Sequence, residues 1–184
     1  MKRILLGLGL SGWLVAAGAL ASAKAAELPL VAPDAGEISP QELDTLLAAV
    51  HKASNTKDLE GVRQLLWDDA QLLLISKGEM MEFTLQEYMD ILKDTWGQTT
   101  SYTYEYQKED CQVNGARTRC TGTVRETMVL TNGQFLTSSV KGEDIFEKRN
   151  GVVKIIYSKA NTDEATVGSR PSPNVPLEIL QKQK

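Results

Sequence analysis

Residues 102–128 read YTYEYQKEDCQVNGARTRCTGTVRETM, and this stretch decides the fold. Tyr102, Tyr104 and Tyr106 alternate with Thr103 and Glu105, the two-residue period of a strand with one face buried. Asn114-Gly115 is a strong hairpin signal, because both residues tolerate the positive φ that tight turns demand. With Asn114 to Arg117 as the loop, Cys111 stands directly opposite Cys120, and a cross-strand disulfide staples the hairpin. Closing so short a loop contributes on the order of 2–3 kcal/mol. A redox or metal reading is weaker, since the spacing is not Cys-x-x-Cys and no third ligand accompanies the pair. On the returning strand Cys120, Val124, Met128 and Leu130 share one face, interrupted by Gly122 and Glu126.

Toward the C-terminus, Thr131-Asn132-Gly133 turns the chain into a strand from Gln134 to Lys148. Arg149-Asn150-Gly151 turns it again into a last strand from Val152 to about Ala160. Toward the N-terminus the pattern becomes helical. Ser39, Pro40 and Glu42 form a capping box with proline at the first helical position, followed by Leu43, Leu46, Leu47 and Val50 at helical spacing. Asp58 caps a second, shorter helix carrying Leu59, Val62, Leu65 and Leu66. Ala70 to Ile75 reads as a buried strand ending in a Ser76-Lys77-Gly78 turn. Thr84 and Glu87 form another capping box before Leu85, Tyr88, Met89, Leu92 and Trp96, and Gly97 closes that third helix. The order helix, helix, strand, helix, then a four-strand meander is α+β, with helices laid on one face of an antiparallel sheet.

The N-terminus has the three parts of an export signal: Lys2 and Arg3, an apolar run from Ile4 to Leu20, and small residues at Ala21, Ala23, Ala25 and Ala26. Cleavage after Ala23 or Ala25 is expected, with a membrane anchor as the competing reading. The expected organisation is a signal peptide over 1–25, an extended leader over 26–38, one domain over 39–161 and a mobile polar tail over 162–184. The expected location is periplasmic or secreted, where a disulfide persists. With a signal over 1–25, losing Lys2, Arg3 and Lys24 takes the formal charge from −4 to −7. An acidic domain without a basic stripe is a poor partner for phosphate backbones, so nucleic-acid binding is not expected. No later apolar run is long enough to cross a bilayer.

Three stretches carry a family resemblance: Asn55-Thr56-Lys57-Asp58-Leu59-Glu60-Gly61-Val62, Phe83 to Leu92, and Asp144 to Gly151 with the strand Val152 to Ile156. They resemble the first helix junction, the third-helix region and the closing hairpin of the nuclear transport factor 2-like superfamily, which includes the SnoaL-like cyclases and ketosteroid isomerases. Many members carry Trp two residues after the hairpin glycine; Val153 stands there here. The resemblance spans about Gln41 to Asn161. It implies a cone-shaped, curved antiparallel sheet with three N-terminal helices packed on it, enclosing a pocket, and a homodimer formed through the sheet. It does not fix an activity.

Candidate chemistry is sparse. Glu126 shares strand parity with Val124 and Met128, so its carboxyl faces the apolar side, where burial raises its pKa and suits it to act as a base. Asp144 lies similarly between Val140 and Phe146, and Tyr104 can supply a phenol. These three are the catalytic candidates; pairing by Arg125 or a rim lysine is the structural alternative. Trp67, Tyr88, Trp96, Tyr104, Glu126 and Asp144 are the candidate pocket lining. The Tyr102, Tyr104, Tyr106 stripe suits a planar ligand or, more simply, core or dimer packing. His51 reads as a helix C-terminal residue interacting with the dipole. Trp67-Asp68-Asp69 reads as a solvated turn, because adjacent carboxylates on a strand point apart. No nucleophile triad, P-loop, dinucleotide fingerprint or metal cluster occurs, and no cofactor or metal is expected. The reading is an exported domain that holds a small apolar or amphipathic ligand or serves an envelope partner. Its rivals are an isomerase, dehydratase or cyclase using Glu126 or Asp144 as base, and a homodimeric structural module.

Overall fold

The computed structural model describes residues 36–171, with side chains through residue 163. The signal, the leader up to residue 35 and the last part of the tail lie outside the described residues. The elements run α1 (Pro40–Asn55), α2 (Leu59–Gln64), β1 (Leu66–Ser76), β2 (Glu79–Phe83), α3 (Leu85–Gly97), β3 (Thr99–Asn114), β4 (Arg117–Leu130), β5 (Gln134–Arg149) and β6 (Val152–Pro171). The six strands form one sheet in the order β2-β1-β6-β5-β4-β3.

Both capping boxes form as the sequence indicates. Ser39 Oγ accepts from the Glu42 N–H, and the Glu42 carboxylate accepts from the Ser39 N–H. Thr84 and Glu87 repeat the exchange at α3. Asp58 caps α2 through the Gly61 N–H. Asn150 and Gly151, at φ 50° and 78°, make the tight β5–β6 turn, and Lys77 and Gly78 do the same between β1 and β2. The Asp163 carboxylate accepts from the Lys77 and Gly78 N–H groups, tying that turn to β6.

The sheet differs from the sequence reading in four places. It is not wholly antiparallel: β1 pairs parallel with β6, so the first strand enters beside the last. The short β2 adds a hairpin at the sheet edge. Residues 67–69 are strand, not a turn. The register shifts between Leu66 and Gln71, which turns Asp68 and Asp69 to the surface. There Asp68 pairs with Arg63, and Asp69 takes both guanidinium nitrogens of Arg149 at 2.8 and 3.0 Å. At the other end β6 pairs with β5 as far as Pro171, past the expected domain end at Asn161.

One face of the sheet meets the helices. Leu43, Leu46 and Val50 of α1, Val62 of α2, and Leu85, Tyr88 and Leu92 of α3 pack on Leu72, Leu74, Val124, Met128, Val140, Phe146 and Ile155. Two contacts fix how α1 crosses the sheet. The Asn55 side chain both donates to the Tyr104 carbonyl and accepts from the Tyr104 N–H, each at 2.9 Å. Lys57, held at φ 54°, donates to the carbonyls of Trp96 and Thr99 and so joins the end of α3 to the start of β3. The Asn55 to Asp58 junction is therefore the lock between the helices and the tyrosine strand.

Cys111 and Cys120 are cross-strand partners joined by a disulfide, with Cα atoms 4.1 Å apart. The pairing of Asn114 with Arg117 closes the hairpin over Gly115 and Ala116.

Candidate functional site

The concave face gathers tyrosine and serine hydroxyls of β3, β5 and β6 around two carboxyls. Strand alternation places Tyr102 and Tyr104 of β3, Glu126 of β4, Ser138 and Asp144 of β5 and Ser158 of β6 on the helix side, all buried. Tyr88 descends on them from α3. Glu126 is 1 % exposed and Asp144 6 %, with no lysine or arginine among the groups that perturb either carboxyl.

The two acids are not a dyad. Glu126 pairs with Ser138 across β4 and β5, whereas Asp144 pairs with Cys120, so six residues of β5 separate the two positions. Each has its own set of hydroxyls. At one pole Glu126 accepts from Tyr102 Oη and from Ser138 Oγ, the latter at 3.2 Å, while Trp96 packs edge-on against the Tyr102 ring at 5.9 Å. At the other pole the Ser158 hydroxyl donates to Asp144. Tyr106 Oη also reaches the Asp144 carboxyl and helps to hold its pKa down. The phenols of Tyr88 and Tyr104 lie between the poles and feel both carboxylates, which, with burial first, push their pKa values far up.

Desolvation governs the acids. It raises Glu126 from 4.5 to about 8, against the lowering effect of Tyr102 and Ser138. It raises Asp144 from 3.8 to about 6, against Ser158 and Tyr106. At neutral pH Glu126 is therefore mostly a neutral acid and Asp144 mostly an anion. One environment holds an uncharged donor and a buried base on opposite sides of a phenol cluster.

A glycine makes this geometry possible. A Cβ on Gly122 would stand 2.7 Å from Tyr106 Cζ and 2.7 Å from the Gln107 carbonyl oxygen. Gly122 pairs with Gly142, and the Tyr106 ring lies across this side-chain-free strip to reach Asp144. Tyr106 is only partly buried, unlike Tyr88, Tyr102 and Tyr104.

Of the sequence candidates, Tyr88, Trp96, Tyr104, Glu126 and Asp144 meet in this interior. Trp67 does not. Its Nε1 donates to the Glu147 carbonyl, and its ring is flanked by Arg149 and Lys154 at 4.8 and 5.0 Å, among residues that alternate with Asp144 and Phe146. The β1 irregularity at residues 67–70 carries it to the other face. His51 is exposed on α1. Among the described residues neither Arg125 nor a lysine pairs with Glu126 or Asp144. The hydroxyls of Ser138 and Ser158 were not legible, because a serine at an inward strand position carries no distinguishing pattern. Among the described residues no group of His, Cys, Asp and Glu is arranged to hold a metal ion.

A concavity of about 320 Å³ lies on the opposite face, over Gly122 and Gly142 and between Glu109, Thr121, Lys141, Glu143, Lys159 and Asn161. Glu143 there already binds Arg119 and Lys159.

No family model and no curated protein matches the sequence. Solved structures do match. A conserved protein from Planctomyces limnophilus superposes with a TM-score of 0.59 at 11% identity, covering 71% of this chain and 96% of that one. An NTF-2 like protein of unknown function from Shewanella oneidensis gives 0.52 at 18% identity, covering 66% and 97%. The chain has the nuclear transport factor 2-like fold. Hexachlorocyclohexane dehydrochlorinase LinA-type3 from Novosphingobium barchaimii shares it, with a TM-score of 0.55 at 14% identity over 73% and 90%. Nuclear transport factor 2-like neighbours thus include an enzyme and proteins without a stated activity.

Proposed function

We propose that this chain is an exported, disulfide-stapled domain whose nuclear transport factor 2-like cone holds a small ligand against the Asp144–Tyr106 pole. One observation carries the reading: Asp144 is buried with only hydroxyl partners, and no cation stands among the groups that perturb it. Burying a carboxylate without a counter-ion is costly, so such a group marks a place where a bound molecule can supply the partner. Export is supported by the Cys111–Cys120 disulfide. Among the described residues no helix is long and apolar enough to cross a membrane. Native mass spectrometry of protein purified from the periplasm tests the reading. A co-purifying small mass that disappears in Asp144→Asn supports it; a wild-type protein that arrives bare and takes up no compound from an amphipathic and aromatic library contradicts it.

A second reading has its own support. Two buried acids held at about 6 and about 8 are poised for proton transfer, with Asp144 as base and Tyr104 or Tyr106 as electrophile. Solvent-like titration of both carboxyls by NMR would remove its basis.

A further inference from the structure

We infer that the groove on the outer face of the sheet is a separate binding site for a small zwitterion of the amino-acid kind, its carboxylate meeting Lys141 and its ammonium meeting Glu109. Register shifts set both walls of this groove. Lys108 pairs with Gly122 and Asp110 with Thr121, so Glu109 is an extra residue of β3. Such a bulge re-aims side chains. Lys108 reaches Asp44 of α1, whereas Glu109 faces the groove. On the other wall Lys141 pairs with Asn161 and Ser139 with Thr166, so residues 162–165 of β6 stand opposite a single residue of β5. The groove lies over Gly122 and Gly142, and its volume of about 320 Å³ is within the range of small-molecule sites.

The charges around it select the ligand class. Three of them answer one another: Glu143 binds Arg119 at 2.8 Å and Lys159 at 3.1 Å. Two do not. Among the described residues Lys141 makes no hydrogen bond or ion pair. Glu109 makes no ion pair there either, and its carboxylate accepts from the Thr123 hydroxyl at 2.6 Å. The two stand apart because β4 runs between their strands, and two strand spacings are about 10 Å. Thr123, the cross-strand partner of Lys141, fills that gap. A simple anion drawn to Lys141 meets Glu109 and Glu143 beside it, and a simple cation drawn to Glu109 meets Lys141 and Lys159. A molecule with both charges a few bonds apart satisfies both walls. Glu109 and Lys141 are exposed, so each contact is weak and sensitive to salt.

An amide NMR titration of the mature, oxidised protein at low ionic strength tests the assignment. The probes are β-alanine and two controls that each keep one of its charges, propanoate and propylamine. The expected result is saturable shifts confined to residues 121–123, 141–143 and 159–161, with β-alanine bound about fivefold more tightly than either control, the upper size of one exposed ion pair. Lys141→Gln should bring β-alanine down to the affinity of propylamine, and Glu109→Gln to that of propanoate. Both positions are exposed, and the comparison of probes within the wild-type protein stands without either variant. Propanoate bound as tightly as β-alanine would reduce the groove to an anion contact at Lys141 and overturn the zwitterion assignment. Shifts centred on Tyr104 and Asp144 would put the probe in the cone and overturn the groove as its site. Groove signals that respond to protein concentration but not to β-alanine would show a second copy covering this face, and also overturn it.

Discussion

Replacing Glu126 by Gln should flatten the pH dependence of folding stability. In the folded chain burial raises the Glu126 carboxyl from 4.5 to about 8. The folded state therefore binds a proton that the unfolded chain has released, and stability falls as pH rises between those values. Glu126 contributes its full stability below pH ~4.5 and has lost it above pH ~8. At about 1.4 kcal/mol for each pH unit, the whole gap is worth several kcal/mol, most of which falls between pH 5 and pH 8. The groups facing Glu126 are Tyr102 and Ser138, with Tyr88 and Tyr104 beyond, and none is cationic. Gln keeps an acceptor for Tyr102 and carries no charge. Asp144, raised from 3.8 to about 6, adds a smaller loss of about 1 kcal/mol over the same interval in both proteins. Urea unfolding at pH 5 and pH 8 measures the difference. Wild type should lose several kcal/mol between the two, the Gln variant about 1, and the variant should be the more stable protein at pH 8. A wild type as stable at pH 8 as at pH 5, or a Gln variant with the wild-type slope, would refute the reasoning.

Removing the Cys111–Cys120 bond, by reductant or by double Ser substitution, should cost about 2–3 kcal/mol, since the closed loop is short. Intact mass after alkylation should show both thiols protected until reduction. Asn55→Ala should cost about 2–3 kcal/mol and speed exchange of the Tyr104 amide, because one side chain makes both hydrogen bonds there; unchanged exchange would show that α1 is held by packing alone. Gly122→Ala should cost about 1–3 kcal/mol, because the new methyl meets the Tyr106 ring and the Gln107 carbonyl. A neutral effect would mean that Tyr106 does not lie across the strip.

Much of this architecture was legible because local signals agreed. Ser39 with Glu42 and Thr84 with Glu87 announced two helix starts, and Asn-Gly between Cys111 and Cys120 announced both turn and register. Once Cys111 faces Cys120, alternation along β4 sends Val124 and Glu126 to the side of Cys120, but Tyr104 joins them only because the β3–β4 register shifts between Lys108 and Asp110. The misreadings came where alternation breaks or where pairing is remote. The β1 irregularity after Leu66 made Trp67 look like a pocket wall and Asp68-Asp69 like a turn. The parallel union of β1 with β6 depends on contacts far apart in sequence, as does the extension of β6 along β5, so no local pattern reports either. The Asp144 pole was half visible. The acid could be placed by parity, but its separation from Glu126 and its hydroxyl from Ser158 depend on the register of three strands.

The central claim is that the cone binds a small ligand at Asp144. Native mass spectrometry of the wild-type protein and Asp144→Asn, each taken from the periplasm under non-denaturing conditions, addresses it most directly. The account predicts a discrete small adduct on the wild-type chain that is absent from the variant. An adduct of equal occupancy on both proteins, or a wild-type chain that stays bare through library exposure, would contradict it.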